Sequence, residues 1–147
     1  MSDFKQVFGS NDWLSFVERN RLKLEGRWSP LTALYSFVVD TEEGAGVVGY
    51  MLNASADGFD DVRRLAAMIS LPAFSDWLER AAGKFPDNVV PADRDDRIDV
   101  LNAISNDLEF DPFEGLEREL PSIRRAMNSQ VESWMMQHSV VLLDAVA

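Results

Sequence analysis

Along most of the chain, apolar residues recur three and four positions apart, the spacing that lays one stripe along a helix. Trp13, Phe16, Val17 and Leu24 form the first stripe. Opened by capping-type Ser10 or Asn11 and closed by Gly26, it predicts a helix over about residues 11–25. Ser29-Pro30 then offers an N-cap and a first-turn proline, and Leu31, Leu34, Tyr35 and Val38 follow at helical intervals as a second helix. This stretch has a competing reading. β-Branched and aromatic residues crowd both it and the segment VVGYMLN, Val47 to Asn53, on either side of a Glu-Gly-Ala-Gly turn, so a small hairpin around residues 33–53 is a second expectation.

After Asp57-Gly58, the residues Phe59, Val62, Leu65, Ala66 and Ile69 predict a third helix. Pro72 opens a fourth, with Phe74, Trp77, Leu78 and Ala81 inward until Gly83, and the short join predicts that the two pack as neighbours. KFPDNVVPAD, Lys84 to Asp93, holds two prolines and reads as an exposed connection. Ile98, Leu101, Ile104 and Leu108 then resume helical spacing, with Asp95, Asp99, Asn102 and Asn106 on the opposite, wet face. Asp111-Pro112 signals a short helix to about Glu119, and Pro121 the start of a last one. Ile123, Met127, Val131, Trp134, His138, Val141 and Ala145 lie along one side of it. The fold class expected is mainly α: a compact single-domain bundle of about six or seven helices, with no internal repeat and no linker long enough to separate domains.

Composition sharpens this picture in a few places. With 147 residues, 46% of them hydrophobic, the chain can fill one core, and its 4 tryptophans and 9 phenylalanines argue against disorder. The absence of cysteine excludes disulfides, thiolate zinc sites, iron–sulfur clusters and a cysteine nucleophile. The opening MSDFKQVFGS lacks the basic start and apolar run of a secretory signal, and no apolar stretch approaches the roughly 18 residues of a membrane span, so a cytoplasmic location is expected.

Charge changes it most. The net charge is −11, and the window Asp87 to Glu119 holds 11 acids against Arg94, Arg97 and Arg118, or −8 in 33 residues. Such a field repels phosphate backbones and anionic lipid, which argues against nucleic acid and membranes as partners and for a basic protein. Arg19, Arg21, Lys23 and Arg27, offset by Glu18 and Glu25, net only +2. Even facing Asp93 to Asp99, they would leave most of the field uncompensated.

Motifs for other chemistry are weak. GAGVVG, Gly44 to Gly49, fits a dinucleotide-loop pattern, but Glu42 and Glu43 would oppose phosphate and no alternating strand and helix units follow. DRDDRIDV, Asp93 to Val100, fails as a calcium loop, because its sixth position is Ile98 and its twelfth Ile104; Asp95 and Asp99, one turn apart, suit a solvated helix start better than magnesium. His138, the one histidine, lies on an apolar side and reads as a core-edge residue bonded to backbone or water rather than a base or ligand. No nucleophile elbow or paired zinc histidines occur.

The function expected is therefore an acidic protein-binding module without a cofactor: a neutralising inhibitor, of the immunity-protein or nucleic-acid-mimic kind, for a basic partner such as a nuclease-type toxin. Its binding residues are expected to be Asp93, Asp95, Asp96, Asp99, Asp107, Glu109, Phe110, Asp111, Phe113, Glu114 and Glu117, with Phe110, Phe113 or Leu116 as the desolvated anchor. The alternatives are a chaperone or adaptor for a secreted protein, a homodimer joined through Trp134-Met135-Met136 and SVVLLDAVA, and an enzyme using acidic residues with Mg²⁺.

Overall fold

The computed structural model describes residues 3–43, 46–105 and 110–147, and every regular element among them is helical. In chain order these are α1 (Asp3–Phe8), α2 (Trp13–Leu24), α3 (Ser29–Glu43), α4 (Gly46–Leu52), a 3-10 turn (Ala54–Gly58), α5 (Phe59–Ile69), α6 (Pro72–Ala82), a second 3-10 turn (Pro86–Asn88), α7 (Arg94–Ser105), α8 (Glu114–Gln137) and α9 (Ser139–Ala145). Helix α3 is the centre of the molecule, packed by α2, α4 and α5.

The hairpin expected around residues 33–53 does not form: its two arms are α3 and α4. Strand propensity records how well β-branched and aromatic side chains fit a half-buried surface, and a helix buried on several sides offers them equal cover. Phe37 shows this. Fully buried on α3, its ring meets Tyr50 edge-on at 5.0 Å, Phe74 at 5.4 Å and Trp77 at 5.6 Å, joining α3, α4 and α6.

Two boundaries move for identifiable reasons. Helix α2 is capped by neither Ser10 nor Asn11 but by Asp12, whose carboxylate accepts from Ser15 N at 2.8 Å. Pro121 starts no helix, since α8 runs through it without a break. A mid-helix proline forfeits the bond to the carbonyl four residues back, here Glu117, and the buried Leu116, Leu120, Met127 and Val131 hold both flanks in place. The break comes instead at His138 (φ −112°, ψ 20°), whose ring Nδ1 lies 2.8 Å from Trp134 O as α9 begins. The expected last helix is thus α8 and α9, and with α1 and α4 the described residues hold more helices than the six or seven expected.

The paired helices α5 and α6 agree with the expectation. α5 ends at Ser70 in the left-handed region (φ 64°), Leu71 N bonds back to Ala66 O at 3.0 Å, and Pro72 starts α6. Arg63 on α5 meets Glu79 on α6 at 2.8 Å. The connection after α6 is mostly exposed, yet it tucks Phe85 and Val90 into the core.

Candidate functional site

Helix α4 explains how the acidic window is laid out. Its 7 residues span about 10 Å, and both ends carry unpaired backbone groups that other helices must satisfy. At its C-terminal end Arg94 Nε donates to Leu52 O at 2.6 Å. Arg97, 0% exposed, donates from Nε to Met51 O at 2.9 Å and from one terminal nitrogen to Asn53 O at 2.7 Å. Its other terminal nitrogen reaches Pro91 O at 2.9 Å, Ala92 O at 3.0 Å and the Asp57 carboxylate at 2.8 Å. The planar guanidinium is thus a hub for four carbonyls and one carboxylate.

This places α7. Its inward stripe is Arg97, Leu101 and Ser105, while Ile98 and Ile104 are only half-buried, a rotation of the face expected from the aliphatic residues alone. The turn outward falls on Asp93, Asp95, Asp96 and Asp99, all exposed. Asp93 also caps the helix, accepting from Asp96 N at 3.2 Å. DRDDRID reads as mixed charge, but the fold sorts it: arginines go onto carbonyls and aspartates face solvent.

At the other end of α4, Glu117 from α8 accepts from Val47 N through both carboxylate oxygens, at 2.8 and 3.1 Å. Gly46 (φ 72°) makes room for it, because a Cβ there would sit 2.3 Å from Glu117 Oε1. Desolvation raises the Glu117 pKa, opposed by the Val47 hydrogen bond. Glu117 is therefore a structural cap and not a free contact residue. It also occupies the helix start that a GAGVVG phosphate loop would need, although Gly44 and Ala45 lie outside the described residues.

The remaining site residues divide further. Phe113 is 0% exposed, with its ring 6.2 Å from Phe85, and Leu116 is buried with its carbonyl accepting from Trp77 Nε1 at 2.9 Å. Neither can anchor a partner; both hold the start of α8 against α6 and its following loop. Phe110, by contrast, is 58% exposed. Asp111 is exposed and accepts from Phe113 N at 2.8 Å, and Glu114 is exposed and paired with Arg118 at 2.9 Å. Glu119 pairs with Arg80 at 2.6 Å, and that hydrogen bond lowers its pKa. Asp107 and Glu109, with their neighbours Asn106 and Leu108, lie outside the described residues.

The structure thus brings together Asp93, Asp95, Asp96 and Asp99 at one end of α4, and sets Phe110, Asp111 and Glu114 with the start of α8, whose Glu117 holds the other end. The basic stretch compensates neither group. Arg19 donates to Phe8 O, Lys23 to Val146 O, Arg21 lies over the Tyr35 ring and Arg27 over Trp28.

The expected homodimer contact shrinks too: Met135 and Leu142 are in the core and Trp134 is buried, leaving Val140 and Val141 exposed. His138 is a half-buried residue bonded to the Trp134 carbonyl, as its apolar side implied. Sequence reasoning missed Arg97 as a hub and Glu117 as a cap. An arginine sharing a stripe with Leu101 and the small Ser105 was the available signal for the first; nothing in the spacing of residues 47 and 117 announces the second.

Among the described residues no group of acidic or histidine side chains is arranged to hold a metal ion, and no helix is long and apolar enough to cross a membrane. Compared with protein-family models, curated protein sequences and solved structures, the chain matches none.

Proposed function

We propose that the protein is an acidic protein-binding module that neutralises a basic partner, a nuclease-type toxin or other nucleic-acid-binding protein being the best fit. One observation carries this reading: the first turns of α7 expose Asp93, Asp95, Asp96 and Asp99, while the two arginines among them are held on the carbonyls that follow and end α4. With Arg97 buried and Arg94 held at Leu52 O while also reaching Asp95 at 4.0 Å, the surface keeps an excess of carboxylates for lysines and arginines that would otherwise hold phosphate. Phe110, exposed beside Asp111 near the start of α8, supplies the apolar contact.

In this mechanism the aspartates steer the encounter and Phe110 slows dissociation. Steering gives about 10 to 10³-fold in association rate at low salt and fades as salt screens beyond about 8 Å at physiological ionic strength. The test is capture of the partner at low salt, followed by kinetics with the triple variant Asp95→Asn, Asp96→Asn, Asp99→Asn. Association should slow at least about tenfold, with a shallower salt dependence, and melting should move little because these groups are exposed. Unchanged association with folded variant protein would remove the α7 face from the function.

A further inference from the structure

Sharing no residue with the acidic groups, the turn between α2 and α3, the start of α3, α5 and the end of α8 line an open cavity of about 250 Å³. Its wall comprises Trp28, Trp134, Leu31, Leu65, Pro30 and Met68, with Arg27 and His138 as its ionisable members and no carboxylate. We propose that this cavity binds a small planar aromatic carboxylate of one or two fused rings.

Size and shape set the ring. A cavity of about 150 Å³ takes up benzene, so 250 Å³ has room for a fused bicycle. Trp28 and Trp134 stand edge to face with centroids 6.1 Å apart, a corner in which a flat ring meets one indole face and the other's edge. Met68, 61% exposed at the rim, is a flexible thioether suited to closing over an aromatic guest.

Charge sets the substituent. The Arg27 guanidinium carbon lies over the Trp28 ring, 5.2 Å from its centroid, and Arg27 has no carboxylate partner among the described residues. A guanidinium without an acidic partner keeps its N–H groups for a bidentate carboxylate. A cationic ligand would meet Arg27 with no acid on the wall to offset it. His138 adds direction: a carbonyl can only accept, so Nδ1 donates to Trp134 O and Nε2 is the ring nitrogen left for a polar group of the ligand.

Indole-3-acetate and its amine counterpart, tryptamine, are the probes, measured by calorimetry and by the amide and indole N–H resonances of the full chain. Trp13 Nε1–H is bound to Asn128 and Trp77 Nε1–H to Leu116 O, each within 3.0 Å, so these two signals are internal controls. Indole-3-acetate should bind with Kd between about 10 µM and 1 mM, moving the Trp28 and Trp134 signals but not the controls. Tryptamine should bind at least about tenfold more weakly, and so should indole-3-acetate to Arg27→Gln. Met68→Trp, a change at an exposed rim position, should block binding by filling the cavity. No binding up to about 5 mM, equal affinity for tryptamine, or binding unchanged in both variants would overturn the proposal. The site is independent of the acidic face, so either reading can fail without the other.

Discussion

Helix α8 joins two regions that differ in which charged side chains the fold leaves over. From Glu114 to Trp134 it rises about 30 Å, so its ends are well beyond a screening length apart. Around its start, with α4 and α7, polar side chains complete the fold: Glu117 caps one end of α4, Arg94 and Arg97 close the other, and Trp77 holds the Leu116 carbonyl. Toward its end, Glu132 and Asn128 hold the start of α2 through Trp13, and beyond them aromatic rings pack together while Arg27 and His138 line an open cavity. The difference is that a charged residue is available for binding only after the fold's own open backbone groups are satisfied. By that measure Arg97 and Glu117 are taken, whereas Asp95, Asp96, Asp99 and Arg27 remain.

The largest test of this contrast is Arg97→Met. It keeps volume but leaves the carbonyls of Met51, Asn53, Pro91 and Ala92 without a donor, and should lower unfolding free energy by about 3–5 kcal/mol in a denaturant titration. Arg27→Gln, by comparison, should leave stability nearly unchanged. Trp77→Phe should follow with a loss of about 1–3 kcal/mol, because the buried Leu116 carbonyl loses its hydrogen bond. At the aromatic end, His138→Phe should lose only about 0.5–1.5 kcal/mol, the worth of the single Trp134 contact.

The smallest effects lie in pH dependence, where Glu117 and Glu119 should slope in opposite directions. Desolvation raises the Glu117 pKa above its ordinary 4.5, so its contribution is fully present below that value and is lost as pH rises through the folded value. Glu117→Gln should therefore gain on the parent as pH rises from about 4.5. The Arg80 hydrogen bond lowers Glu119, so its contribution is present above 4.5 and lost as pH falls through the folded value. Glu119→Gln should trail the parent near neutrality and converge with it in acid. Melting curves of both variants across that range check the two signs together.

Much of the architecture was legible in the residues. The stripes of α2, α5 and α6 and the breaks at Gly26 and Gly83 follow from helical period and local turn chemistry, which neighbouring residues decide among themselves. Strand-like composition in α3 and α4 misled because propensity there is weaker than burial on several sides. Pro121 misled in the same way, its one lost bond being outweighed by packing on both flanks.

The sites divide along the same line. Sequence alone determined that a −8 window exists and that it carries four closely spaced aspartates, because charge and spacing are properties of the chain. Only the tertiary structure decided that Arg97 turns inward, that Phe113 is core and Phe110 surface, and that Glu117 meets Val47 across 70 positions. It alone joined Arg27 and Trp28 to Trp134 and His138 in one cavity wall. The physical reason is that which groups remain free depends on which backbone donors and acceptors each helix end leaves unsatisfied, and those are met by residues distant in sequence.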